Sequence, residues 1–185
     1  MKNHSARTIA GTTPVILPLN HRARCKLRTH FLALGAADRR LRFGNAICDE
    51  TITRYVDSLD LGHDAVFVIE DGRHRIVAAA HVAVSGSTAE VGLSVLPPAR
   101  GRGLGSALFS HAARHARTHG IVRIDMHFLS ENRAIQHIAA RAGMQVESRA
   151  GESEAYLALR PAQPDLIALA DARVPANDAF SRQAA

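Results

Sequence analysis

Three glycines spaced two apart, in Arg100-Gly101-Arg102-Gly103-Leu104-Gly105-Ser106, form the segment whose residue types point most directly to chemistry. Without Cβ atoms, such a loop lets successive backbone N–H groups converge on one anion. The loop lies between a strand, Ala89 to Leu96, and a helix from about Gly103. The unpaired N–H groups and positive end of that helix add to the pull on a diphosphate. Two familiar phosphate motifs do not fit. A nucleotide P-loop needs a lysine that Gly105-Ser106-Ala107 lacks. A dinucleotide fingerprint needs glycine where Ser106 or Leu108 stands, and a parallel βαβ unit where hairpin-connected strands precede the loop.

A third pattern, Arg/Gln-x-x-Gly-x-Gly/Ala after an antiparallel strand, is met by Arg100 through Gly105. Downstream, Glu131-Asn132-Arg133-Ala134 opens a helix that reaches Gly143-Met144, where an Asn-to-Gly-Phe helix would end. On these two motifs, in this order, the chain resembles the GNAT superfamily of acetyl-CoA-dependent N-acetyltransferases. The resemblance implies a V-shaped opening between the fourth and fifth strands that takes the pantetheine arm of acetyl-CoA. By position, it implies that the Leu93 N–H holds the thioester oxygen and that Val95 pairs with pantetheine amides. Arg100, Gly101, Arg102, Gly103, Leu104, Gly105 and Ser106 would hold the diphosphate, and Asn132 would reach the arm near its sulfur.

An ammonium cannot attack a thioester, so some group must take a proton from the amine. Glu90 occupies the position where several GNAT enzymes carry that base, and a carboxylate there can act directly or through one water. The other reading of Glu90 is a solvent-facing or salt-bridged strand residue. Val91, Leu93 and Val95 share one face of the strand and Glu90, Gly92 and Ser94 the other, unless a bulge intervenes. Many GNAT enzymes place a tyrosine seven residues after the helix asparagine to protonate the departing thiolate, and Ala139 stands there. His137 and Tyr156 are the candidate substitutes, though a thiolate is itself a tolerable leaving group. The tyrosine-free helix and the run Asp38 to Phe43 are loosely similar to bacterial protein lysine acetyltransferase domains. Among other constellations, His111, His115 and His119 have one-face spacing but no nearby carboxylate, and read as packed histidines rather than zinc ligands. His81 reads as a satisfied core histidine or a lining of the acceptor pocket.

These groups need elements to position them. Pro14 to Leu19 reads as a first strand, with Asn20 capping a helix from about His21 to Leu34. Asp38 to Gly44 reads as a loop or helical turn, and a second helix runs from Asp49 to Gly62. Ala65 to Glu70, Arg75 to Val84 and Ala89 to Leu96 read as a meander. A helix to His119, a strand Ile121 to Phe128, a helix Glu131 to Arg141 and a strand pair, Met144 to Arg149 with Ala155 to Leu159, complete the chain. The order predicts an α+β fold: a mixed, mainly antiparallel central sheet flanked by about four helices. Residues 13–160 form the expected GNAT domain, between a flexible N-terminus, 1–12, and a flexible tail, 161–185.

Composition narrows the function classes. The 185 residues suffice for one core. No apolar run approaches the roughly 20 residues of a membrane span, and the N-terminus lacks a secretory pattern. Cys25 and Cys48 read as free thiols in a reducing cytoplasm. The net charge of +6 is concentrated early, since residues 1–37 carry basic side chains and no acid. No interleaving of arginine with aromatics accompanies it, which argues against nucleic acid. The expectation is a cytoplasmic, metal-independent N-acetyltransferase, a monomer or homodimer, acting on a small-molecule or protein amine. A non-catalytic acetyl-CoA-binding regulatory module is the alternative, because fold alone does not fix function.

Overall fold

A computed structural model describes residues 14–160; the expected flexible ends, 1–12 and 161–185, lie outside them. After β1 (Leu17–Pro18) come α1 (Arg24–Leu32), α2 (Ala36–Phe43) and α3 (Asp49–Ser58). The strands β2 (Ala65–Glu70), β3 (Ile76–Ser85) and β4 (Thr88–Val95) form the meander. Then follow α4 (Leu104–Thr118), β5 (Arg123–Leu129), α5 (Arg133–Arg141), β6 (Gln145–Arg149) and β7 (Glu152–Ala158). The seven strands form one sheet in the order β1-β2-β3-β4-β5-β7-β6, antiparallel except between β4 and β5.

The sheet is the middle of three layers. Alternate residues of its strands enter two cores. Phe67, Ala80, Val91 and Ile124 pack with Leu108 and Ala112 of α4 and Ile138 of α5. Val66, Val68 and Ala79 pack on the opposite face with Leu27 and Phe31 of α1 and Ile52 and Val56 of α3.

Most elements lie where the sequence places them, and the differences have physical reasons. The first strand shrinks to two residues, because Pro14 and Pro18 have no N–H to give to a ladder. Asn20 does cap, its side chain accepting from the Ala23 N–H at 3.0 Å, but it starts a 3-10 turn that precedes α1. The second expected helix ends at Ser58, four residues before Gly62. The segment read as a loop or turn is the full helix α2, so the sheet is flanked by five α-helices rather than about four. None of its residues is buried, so no wide apolar stripe announces it. Long polar contacts hold it instead. Arg39 donates to the carbonyls of Leu32 (3.0 Å), Leu34 (2.9 Å) and Ile47 (3.3 Å) and to the Asp49 carboxylate (2.6 Å). The last hairpin turns at Ala150 and Gly151, both in the left-handed region, which brings the start of β7 forward to Glu152.

Candidate active site

The site begins where two strands part. β4 and β5 share only three registered pairs, ending at Glu90↔Asp125. Beyond that point the ladder stops, and a cleft of about 330 Å³ lies between the end of β4, the glycine loop, α2 and α5. The β3–β4 register runs without a shift from Ser85↔Thr88 to Ala78↔Val95, and the Leu96 N–H continues it to the Val77 carbonyl at 2.9 Å. β4 therefore has no bulge. Hydrogen-bonded and non-hydrogen-bonded pairs alternate along an antiparallel ladder. Counting back from Leu96, Ser94, Gly92 and Glu90 turn their N–H groups to β3, while Val95, Leu93 and Val91 turn theirs toward the β5 side. The Leu93 and Val95 amides thus face the gap where β5 has left.

At the far end of the cleft is the glycine loop. Gly101 and Gly103 both have φ of +73°, which side chains rarely tolerate. Gly105 is tight for a different reason: a Cβ there would sit 3.0 Å from Ile138 Cδ1, across the α4–α5 contact, and that methyl would have to give by a few tenths of an ångström. No side chain caps α4 and no acid lies in its first turn. Its first intrahelical bond, Ala107 N–H to the Gly103 carbonyl, leaves the N–H groups of Leu104, Gly105 and Ser106 without helical partners. Leu93, Val95, Arg100, Gly101, Gly103, Leu104, Gly105, Ser106 and Asn132 all line this cleft; Arg102 does not, and is exposed.

Helix α2 straps across the cleft. Its Asp38 pairs with Arg100 of the loop at 2.8 Å, Arg40 pairs with Glu131 on the opposite bank, and the Leu41 carbonyl accepts from Asn132 Nδ2 at 3.2 Å. Asn132 Oδ1 caps α5 by accepting from the Ile135 N–H at 3.3 Å. Both ends of the Asn132 amide are therefore engaged within the protein.

Glu90 stands at the apex of the V. It is 57% exposed, and the His127 Nδ1 lies 3.6 Å from its carboxylate. With Arg42, Gly92, Leu93, Met126 and His127 it lines a recess of about 30 Å³ beside the main cleft. The unbroken register fixes it on the Gly92 and Ser94 face, toward α1 to α3. Two polar networks support that face. Buried His30 bonds through Nδ1 to the Ile76 carbonyl at 3.0 Å and through Nε2 to Ser94 Oγ at 2.7 Å. A carbonyl only accepts, so Nδ1 carries the proton and Ser94 donates to Nε2. Burial, the main cause, pushes the His30 pKa down to about 4. His81 joins Tyr55 Oη at 2.8 Å and Asp64 at 3.1 Å; desolvation by burial lowers its pKa, and both ring nitrogens are satisfied.

The candidates for the thiolate's acid separate clearly. Ala139 is fully buried in the core, His137 is exposed at the cleft, and Tyr156 lies on β7 bonded to Gln145 and covered by Arg123. His111 and His115 pack edge-on against Phe67, and among the described residues no cluster of three or more His, Cys, Asp or Glu side chains is placed to hold a metal.

The sequence matches the acetyltransferase (GNAT) family over residues 37–144. The chain belongs to that family. The match spans α2, the splayed β4, the glycine loop and α5, and it makes the protein an acyltransferase. Solved structures share the fold. The GNAT domain of PAT from S. lividans is 20% identical, with a TM-score of 0.67 over 78% of this chain and 89% of that one. Spermidine N-acetyltransferase from Vibrio cholerae, solved with CoA and spermine, is 15% identical, with a TM-score of 0.64 over 80% and 96%. A GNAT superfamily phosphinothricin acetyltransferase from Sinorhizobium meliloti, solved with AcCoA, is 12% identical, with a TM-score of 0.63 over 80% and 89%. No curated protein matches the chain by sequence.

Sequence reasoning missed three features of this GNAT site: the α2 strap, the His30–Ser94 pair and the setting of Arg42. Each joins residues more than ten apart through polar side chains, which periodicity does not register. Gly92 was the available signal. It is a helix-side glycine within a strand, a position that often marks the close approach of another group.

Proposed function

We propose that this protein transfers an acetyl group from acetyl-CoA to a primary amine by direct attack within a ternary complex. The observation that carries the reading is the early end of the β4–β5 ladder, which aims unpaired amides of Leu93 and Val95 into a cleft that leads to the glycine loop. Acetyl-CoA supplies the activated acyl group. The residues present fit it: two left-handed glycines and a bare helix N-terminus for the diphosphate, and an extended strand edge for the pantetheine amides. The Leu93 N–H faces the thioester oxygen and stabilises the negative charge that develops there. Glu90 takes the amine proton, directly or through one water, as the amine nitrogen bonds to the acetyl carbon and the C–S bond breaks. Holding both reactants in one cleft supplies the proximity. Asn132, which lines the cleft, would reach the arm near its sulfur, and Arg100, paired with Asp38, and the exposed Arg102 would add charge at the diphosphate end. The exposed, unpaired Cys25 and Cys48 accord with work in a reducing cytoplasm.

The test is incubation with isotope-labelled acetyl-CoA and a lysate separated into macromolecules and small metabolites. Enzyme-dependent label in either fraction supports transfer and names the acceptor class. Label in neither, while acetyl-CoA still raises the melting temperature, overturns it in favour of a non-catalytic acetyl-CoA sensor.

A further inference from the structure

Residues 22–42 carry six arginines on the helical side of the cleft, and four of them, Arg24, Arg28, Arg39 and Arg40, are bonded to carbonyls or carboxylates within the protein. Arg24 donates to the carbonyls that end α3, Arg28 pairs with Asp57, Arg39 with Asp49 and Arg40 with Glu131. Arg42 differs. Among the described residues no carboxylate lies within 4.0 Å of it, its Nε is buried without a partner, and its one hydrogen bond is from Nη2 to Tyr55 Oη at 3.1 Å. The guanidinium lies over an aromatic box, 4.8 Å from the Phe43 ring centre, 5.7 Å from Phe31 and 5.8 Å from Tyr55. Arg42 lines both the main cleft and the recess beside Glu90.

The backbone makes room for it. A Cβ at Gly92 would stand 2.5 to 2.7 Å from the guanidinium atoms, so only glycine admits this placement. The carboxylates near this face are otherwise committed or separate: Asp64 to His81, Asp38 to Arg100, and Glu90 two residues along the same strand face.

We infer that Arg42 is the anion-binding residue of the acceptor site, and that the acceptor is a small amino acid, its amine at Glu90 and its carboxylate on Arg42. The inference rests on the acetyl-transfer reading and names its substrate class. Gly92 is the direct neighbour of Leu93, and adjacent Cα atoms are about 3.8 Å apart. An anion on Arg42 is thus a few bonds from an amine that attacks at Leu93. An α- or β-amino acid has that spacing; a lysine side chain on a protein and a polyamine do not. Arg42 and Glu90 line one recess, so an acceptor that bridges them holds its two charges close together.

The test uses the full chain with acetyl-CoA and follows CoA release. The probes are the common L-amino acids and β-alanine, each against its carboxamide, with spermidine and an internal lysine peptide alongside. The expected result is at least about a 10-fold higher kcat/KM for the best carboxylate than for its carboxamide. Arg42→Gln should bring that ratio near one, mainly through KM, with acetyl-CoA affinity changed less than about twofold. Arg42→Lys should retain part of the ratio, and Arg75→Gln, on the distant β2–β3 turn, all of it. Equal or better use of the carboxamide, spermidine or peptide by the wild type overturns the inference and leaves acetyl transfer standing, as does an unchanged ratio in Arg42→Gln or a loss confined to acetyl-CoA affinity. The wild-type ratio decides the matter even where a variant does not fold. Turnover of no probe, with acetyl-CoA bound, overturns the inference; absence of label from lysate as well removes the transfer reading beneath it.

Discussion

The two banks of the cleft are built from different materials. On the α4–α5 side, the surface offered to a ligand is mostly backbone: glycines in left-handed conformations, a helix start with no cap, and strand amides without partners. On the α1–α3 side it is mostly long side chains: arginines that reach carbonyls and carboxylates tens of residues away, and histidines wired to Ser94, Tyr55 and Asp64. A backbone site recognises what many acyl donors share, a diphosphate and a chain of amides. A side-chain site can be rebuilt one residue at a time. On the proposed acetyl transfer, the constant chemistry belongs to the first bank and the choice of acceptor to the second.

The contrast is broken most severely at Gly103. Gly103→Asp puts a side chain at φ +73° and a negative charge at the helix start. It should weaken acetyl-CoA binding by on the order of 10³-fold, read by calorimetry, while the circular dichroism of the fold is retained. Binding within tenfold of wild type would move the diphosphate elsewhere. Next comes Glu90→Gln, which should lower kcat about 10²-fold at neutral pH and leave acetyl-CoA affinity unaltered. Full turnover would remove Glu90 from the proton's path.

Arg39 sharpens the other bank. Arg39→Ala deletes four donors' worth of contacts to Leu32, Leu34, Ile47 and Asp49 and should cost about 2–3 kcal/mol in urea unfolding. The amine KM should rise more than that of acetyl-CoA. The mildest effect is pH-dependent. His30 has a folded pKa of about 4 against 6.5 when exposed, so the unfolded chain binds the extra proton between those values. Stability is therefore full above about pH 6.5 and falls as pH drops toward 4, by about 1–2 kcal/mol between pH 7 and 5. His30→Gln should flatten part of that slope in urea midpoints taken across the range.

The same contrast explains what could be read from sequence. Gly101 and Gly103 declare their bank because a glycine's freedom is a local property, visible in a seven-residue window. Asn20 declares its cap for the same reason. Helix α2 does not, since its stability comes from Arg39 reaching residues outside the helix rather than from an apolar stripe. Arg42 and Gly92 are 50 positions apart, and neither type alone implies that one lies upon the other. Whether Glu90 shares the face of Gly92 was also open at the level of sequence. It depended on the absence of a bulge in β4, which only the strand register supplies.

Helix α2 touches the loop through Asp38, the far bank through Arg40 and Leu41, and the acceptor face through Arg42. On the proposed function, one helix of eight residues is thus a shared wall of the donor and acceptor compartments. Whatever shifts it on one side shifts the guanidinium on the other. A donor that moved α2 would then change acceptor affinity, and linkage is reciprocal: the acceptor would change donor affinity by the same factor.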